Sequence, residues 1–323
     1  MKRIRLAAVF LSLVFVLSSC SMPVNFNRSR KPVISVNKEV LTEKEVKICA
    51  LNYKCQFEDY YKELYGEDFW RLPVTEEIDY EAYVKEYFIF KELNCVLRLC
   101  AMSQELNVSV TQAETERLRE ASIAWEISMT EDEKAYTGAS SEDIYNVLFR
   151  YLLAEKTVEK LMEGQKAEVS EEESRVADIQ VIRLNTASIA FNVKNRLDNG
   201  ESFMTLANDL SLDNKISYSV ARGELIPDLD TVVFSLKDNE ISDVIFTGEN
   251  YYIIRMENMH DVLLSGKNRE NLLAEKQYLL WKPEYDRLSS AMSTLRDKAV
   301  WDSVSLSQDG DYRYHSLFAY FGQ

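Results

Sequence analysis

A chain of 323 residues with 38 basic and 53 acidic side chains, for a net charge of −15, is long enough for two domains with a core in each. That balance argues against nucleic-acid binding, which neutralises phosphates with Lys and Arg. It suits a soluble surface and cationic partners, although acidity alone specifies neither.

The chain opens with Lys2, Arg3 and Arg5 and no acid, then runs from Leu6 to Leu17 with Ser12 as its one polar residue. A basic start, a short apolar core and then small residues is the pattern of a secretory signal. Twelve helical residues rise about 18 Å, too little for a hydrocarbon core of about 30 Å, so a permanent transmembrane helix is the weaker reading. The segment Leu17-Ser18-Ser19-Cys20 resembles the bacterial lipobox, in which an apolar residue and two small ones precede a cysteine that is lipidated and becomes the new N-terminus. The resemblance implies a signal peptide over 1–19, a lipid on Cys20 and a polar tether over 20–32. An ordinary secretory signal with an incidental cysteine is the alternative. Two or more acyl chains anchor a protein stably where one is marginal. Loss of residues 1–19 removes three bases and no acid, which leaves 35 against 53, or −18.

A short β-rich piece, Val33 to Val36, leads to a turn at Asn37. Thr42 with Glu45 three residues on then forms a capping-box signature that opens a helix. The signature recurs at Thr111 with Glu114 and at Ser170 with Glu173. Apolar steps of three and four predict helices from Tyr80 to Leu106 and from Ser141 to Met162. Residues 33–174 therefore read as an almost wholly helical domain.

The texture changes near Ala177. Ile179 to Leu184 reads as a strand and Ala187 to Asn199 as a helix with Gly200 as its C-cap; a second short helix carries Phe203, Leu206 and Ala207. A turn near Asp213, a strand around Tyr218 and a helical turn opened by Pro227 follow. Strands at Val244 to Phe246 and Tyr251 to Met256 complete a β-α-α-β-α-β-β order over 175–262. Gly266 to Lys298 returns to a helical pattern with Leu272, Leu279, Leu288, Met292 and Leu295 as apolar positions, and Pro283 predicts a kink. The segment 263–300 is read as one helix packing back on the helical domain. The aromatic tail 301–323 shows no period and stays unassigned. The fold class is α+β.

Cys49, Cys55, Cys95 and Cys100 fall on helices at separations of six and five, which stack no side chains on one face. Buried thiols acting as small hydrophobes are favoured over a disulfide. No metal-ligand cluster or nucleophile motif is visible, and no cofactor is expected.

The series Leu197-Asp-Asn-Gly-Glu-Ser-Phe203, Leu206-Ala207, Ser211-Leu-Asp213, Arg222-Gly-Glu-Leu-Ile-Pro227, Phe234-Ser-Leu, Asn239-Glu-Ile-Ser242 and Tyr251-Tyr-Ile-Ile254 resembles the parvulin-type peptidyl-prolyl isomerase domain. The flanking helices resemble the layout of extracytoplasmic foldases similar to PrsA and SurA, over roughly residues 33 to 300. The resemblance implies an apolar proline pocket and a polar floor of two histidines beside an acid or thiol. A catalyst of X-Pro rotation must bind the twisted amide better than either planar form. Both histidines are replaced. The first position falls on Val181, or on Asp178 after a three-residue slip, and the second falls on Tyr252. Asp213 matches the acid, Leu225 and Phe234 match pocket positions, and Leu229 stands where a Phe is usual. The glycine-rich loop before the second strand is shortened, with Ile216 to Ala221 in its place.

The implied function is that of a lipid-anchored, extracytoplasmic folding factor with a degenerate, weak or inactive isomerase module. Its partners are unfolded or newly exported chains and X-Pro segments, with the membrane reached through the lipid and no nucleic acid involved. Two further readings stay open: an active isomerase rebuilt around Tyr252 and Asp213, and a structural lipoprotein docking one partner. The residues do not specify an oligomeric state.

Overall fold

The computed structural model describes residues 32–315. In chain order the first elements are β1 (Pro32–Val36), β2 (Glu39–Thr42), α1 (Glu43–Tyr65), a 3-10 turn (Glu67–Arg71) and α2 (Tyr80–Val84). A π-helical turn (Lys85–Phe90), α3 (Lys91–Ser103), α4 (Gln112–Ser128), α5 (Glu131–Thr137) and α6 (Ser141–Leu161) follow. Next come α7 (Glu171–Ser174), β3 (Val176–Leu184), α8 (Ala187–Asp198), α9 (Phe203–Leu210), β4 (Ser217–Ala221) and α10 (Pro227–Val233). The chain closes with β5 (Ile245–Phe246), β6 (Tyr251–Asn258), α11 (Val262–Ser289), β7 (Thr294–Arg296) and α12 (Lys298–Ser303). The described residues divide into two compact units, one of 166–280 and one of 32–165 with 281–315. The α+β expectation holds in both parts: one unit is mainly helical, and the other has the β-α-α-β-α-β-β order.

All three expected capping boxes form, at Thr42 and Thr111 in the helical unit and at Ser170 in the other unit. Thr42 shows the chemistry: its N–H donates to Glu45 Oε2 at 2.7 Å while its Oγ1 accepts from the Glu45 amide at 3.4 Å. Two donors that the first helical turn leaves without partners are thus satisfied reciprocally. Two more boxes form at Thr130 and Ser140.

The expected single helix from Tyr80 to Leu106 is three pieces ending at Ser103, with the π-turn in the middle. The start of the unit is also less purely helical than the pattern suggested. Asn37, at φ 54°, turns β1 into β2, and β1 pairs on its other edge with β7 in the order β2-β1-β7. That third strand corrects the helix expected over 266–298. Helix α11 begins earlier, where the Leu264 amide donates to Asp261 Oδ1 at 2.9 Å, and it ends at Ser289. Thr294 and Arg296 are then held by side chains of the α2–α3 segment: Arg98 Nη2 donates to Thr294 Oγ1 at 3.1 Å, and Arg296 Nη1 to Glu86 at 2.8 Å. Leu295 between them points to solvent, so its apparent helical spacing carried no burial.

Residues 301–315, the described part of the unperiodic tail, are also structured. Trp301, Val304 and Leu306 join the core that holds Val33, Val46, Leu97 and Leu148. From Ser305 onward, single contacts hold the chain. Lys54 Nζ donates to the Leu306 carbonyl at 2.7 Å, Tyr136 Oη to the Ser305 carbonyl at 2.8 Å, and the His315 ring stacks on Trp125 at 5.0 Å. Such anchors leave no repeat for a sequence to display. Cys49, Cys55 and Cys100 are buried, Cys95 is half-buried, and all four are free thiols.

Candidate functional site

In the smaller unit the strands run in the order β4-β3-β6-β5, each pair antiparallel. Alternate residues of β3 face opposite sides, as the pleat requires. Ile182 and Leu184, with Ile253 of β6, pack against Ala190, Val193 and Leu197 of α8 and Phe203 and Leu206 of α9. Ile179, with Val220, Ile254 and Met256, packs on the other side against Leu229 and Val233 of α10 and the following Phe234.

This second side is where the expected pocket residues gather. Leu229 and Phe234 are part of its core, and Val181, Leu225 and Tyr252 pack against that core. Val181 faces Ile254 across the β3–β6 pairing, so the first histidine position presents only an aliphatic pair. Asp178 stands apart. Its carboxylate accepts from Ser219 Oγ at 2.6 Å and Asn258 Nδ2 at 3.4 Å, beside an irregularity in the pairing between Asp178 and Ile179.

Asp213 enters the site through Arg183, a residue outside the matching motif series. Arg183 lies two residues beyond Val181, hence on the same side of β3, and directly opposite Tyr252. Its guanidinium grips Asp213 in a fork, Nε to Oδ2 at 2.8 Å and Nη2 to Oδ1 at 2.6 Å. The hydrogen bond to Asp213 holds the Arg183 guanidinium above its already high range. Period-two alternation from Val181 was the signal that could have found it.

The aromatic wall is covered as well. The Phe234 ring is only 8% exposed and lies under two guanidiniums, Arg175 at 5.1 Å and Arg222 at 4.9 Å from its centroid. Both arginines are tied to one oxygen of Glu172, at 3.1 and 3.0 Å, and Arg175 also donates to the Phe234 carbonyl at 2.7 Å. Nothing in the residue types marked this cap, because Glu172 lies outside the strand and helix that carry the pocket. The shortened loop has become strand: Ser217 to Ala221 pair with β3, and Tyr218 Oη donates to the Lys215 carbonyl at 2.7 Å.

Chemically the site offers an aliphatic floor, a phenol and a neutralised Arg–Asp pair. No imidazole lies among its residues. His260 lies 3.8 Å from Glu171, and His315 contacts Glu133 in the helical unit at 3.2 Å. Among the described residues no group of three His, Cys, Asp or Glu could hold a metal ion.

Residues 154–262, which hold this sheet and its helices, match the model of the PPIC-type PPIASE domain family. The similarity extends beyond that segment to a curated foldase. The chain is 26% identical over 317 residues to the foldase protein PrsA of Caldanaerobacter subterraneus subsp. tengcongensis, covering 89% of this chain and 94% of that protein. Solved structures similar to it include the peptidylprolyl isomerase PrsA of Bacillus anthracis, at 17% identity and a TM-score of 0.32, with 62% of this chain and 96% of that one covered. The foldase protein PrsA of Lactococcus lactis is similar at 11% identity and a TM-score of 0.33, with 91% and 100% covered. Cys20, with the signal and the lipobox, lies outside the described residues. Among the described residues no helix is long and apolar enough to cross a membrane.

Proposed function

We propose that this chain is a lipid-anchored, extracytoplasmic folding factor that binds unfolded exported polypeptides, with a parvulin-type module that has lost efficient isomerase chemistry. The observation that carries the reading is the state of the pocket side. Val181 and Tyr252 occupy the histidine positions, Asp213 is engaged by Arg183, and Phe234 is capped by Arg175 and Arg222. Rotation of an X-Pro bond needs groups that stabilise the twisted amide more than the planar one. An acid already neutralised by a fork and a ring already covered by cations supply little of that difference. Fold alone does not carry activity. The anchor on Cys20 would keep the protein where chains emerge from export, at a raised effective concentration. The lipobox motif and the similarity to PrsA support this placement.

Suppression of client aggregation, followed by light scattering with the full chain in several-fold molar excess, tests the binding role. Delayed scattering is expected, and no effect at that excess rejects it. A second reading has one observation in its favour: Tyr252, whose hydroxyl can both donate and accept, lies opposite the Arg183–Asp213 pair. Such a rebuilt floor would accelerate rotation in peptides, and Tyr252→Phe would abolish the acceleration.

A further inference from the structure

The helical unit carries an aromatic surface that neither its core nor the isomerase module accounts for. Along α1, Phe57, Tyr61 and Tyr65 recur at four-residue steps and stack, with ring centroids 5.6 and 5.8 Å apart. Phe57 and Tyr61 are core residues, but the stripe continues past the core. Tyr60 sits edge-on to Tyr61 at 4.9 Å, Tyr80 packs on Tyr61 at 5.5 Å, and Phe88 meets Phe57 at 5.2 Å. Through Phe88 the contact reaches Tyr83 at 5.7 Å and then Tyr87 at 5.0 Å. Three members of this connected sheet of rings stand open: Tyr60 is 57% exposed, Tyr65 53% and Tyr87 48%. Leu64, also exposed, lies beside them in sequence.

Charge selects the occupant. Residues 57–92 hold eleven acids and four bases. Exposed Asp59, Glu63, Asp68, Glu76 and Glu77 make no ion pair with any other described residue. The surface already receives one cation of the chain itself, Lys91, whose Nζ lies 4.9 Å from the Tyr87 ring centroid. Exposed rings among carboxylates present negative ring faces, and they favour ammonium and guanidinium groups with apolar stems.

We infer that the surface of Tyr60, Tyr65 and Tyr87 binds extended, lysine- and arginine-rich segments of unfolded polypeptides. The inference rests on the folding-factor reading and names the chemistry of the segments held. Their aliphatic stems lie across the rings while their charged ends reach the carboxylates. Acidic segments are repelled, which gives the protein a preference among clients.

The test uses the full chain in detergent and three fluorescein-labelled peptides of one Gly/Ser/Leu frame, carrying lysines, glutamates or neither. Fluorescence anisotropy should rank binding as lysine above neutral above glutamate, with the lysine advantage shrinking as salt is raised. Tyr60→Ser/Tyr65→Ser/Tyr87→Ser changes only exposed rings and should weaken the lysine peptide by roughly tenfold or more. Asp59→Asn/Glu63→Gln/Asp68→Asn should leave the neutral peptide unchanged and narrow the gap between the charged two. Equal binding of all three peptides, or a lysine preference that survives the tyrosine variant with its thermal melt unchanged, overturns the assignment. If sedimentation shows that the tyrosine variant dissociates a dimer, a second copy is the occupant and the assignment is likewise overturned. Aggregation suppression without peptide preference removes this site alone; loss of both removes the folding-factor reading with it.

Discussion

Replacing Arg150 with methionine removes a guanidinium that ties three parts of the helical unit together. Arg150 is buried on α6. Its Nη1 donates to Glu45 Oε1 of α1 at 3.0 Å and to the Asn146 carbonyl at 3.3 Å, and its Nη2 donates to the Val40 carbonyl of β2 at 2.7 Å. Methionine fills similar space but leaves the Glu45 carboxylate, also buried, without its cation. Breaking one side of a buried pair costs about 3–5 kcal/mol, most of it from the charge left behind. Glu45 keeps the hydrogen bond from the Thr42 amide at 2.7 Å, which points to the lower end, about 3 kcal/mol. Glu45→Gln retains an acceptor for that amide while removing the charge, so Arg150→Met/Glu45→Gln should regain about half the loss. All four tryptophans, Trp70, Trp125, Trp281 and Trp301, lie in this unit, so their fluorescence during urea unfolding reads it alone. A single-variant cost under about 1 kcal/mol, the range of exposed pairs, would refute the reasoning. So would a double variant no more stable than the single one.

Burial, reinforced by neighbouring Glu159, pushes the Glu155 carboxyl up to about 7. The folded chain then holds a proton that the unfolded chain releases near pH 4.3, so stability falls as pH rises from there through 7. The side chain is partly exposed, which reduces the effect to about 1–2 kcal/mol. Urea midpoints of Glu155→Gln should vary less with pH across that window than those of the parent; parallel profiles would contradict this. Burial also drives the Cys49 and Cys100 thiols far above their usual range. An aromatic disulfide reagent at neutral pH should leave both unlabelled in the native chain and label both after unfolding, as peptide mapping would show. At the module, Arg222→Ala removes one guanidinium from Phe234 while Arg175 and its bond to the Phe234 carbonyl remain. Its thermal midpoint should move little, while an apolar dye should bind better than to the parent; unchanged dye binding would count against the cap.

Local rules made much of this legible. Thr42, Thr111 and Ser170 announced their helices because a capping box is complete within four residues. The β-α-α-β-α-β-β order followed from the strand pattern at Ile179 to Leu184 and the turn residues between elements. What stayed hidden depends on contacts between distant positions. Strand β7 exists because Ile34, Ser35 and Val36 offer it a free edge, and nothing in Thr294-Leu295-Arg296 says so. Residues 301–315 of the tail are held by Lys54, Tyr136 and Trp125, each more than 150 residues away in sequence. At the candidate site, the replaced histidine positions could be read directly at Val181 and Tyr252. The grip of Arg183 on Asp213 and the cover over Phe234 required the sheet register and the placement of Glu172.

Whether the module still rotates X-Pro bonds decides between a binding role and a catalytic one. A protease-coupled assay on X-Pro peptides, run with the parent chain beside Tyr252→His and Tyr252→Phe, measures that directly. The parent is expected to match the uncatalysed rate, and Tyr252→His alone should not raise it, because Val181 leaves the first histidine missing and Asp213 remains bound to Arg183. A parent rate clearly above background that falls in Tyr252→Phe would contradict the account and establish a rebuilt catalytic floor.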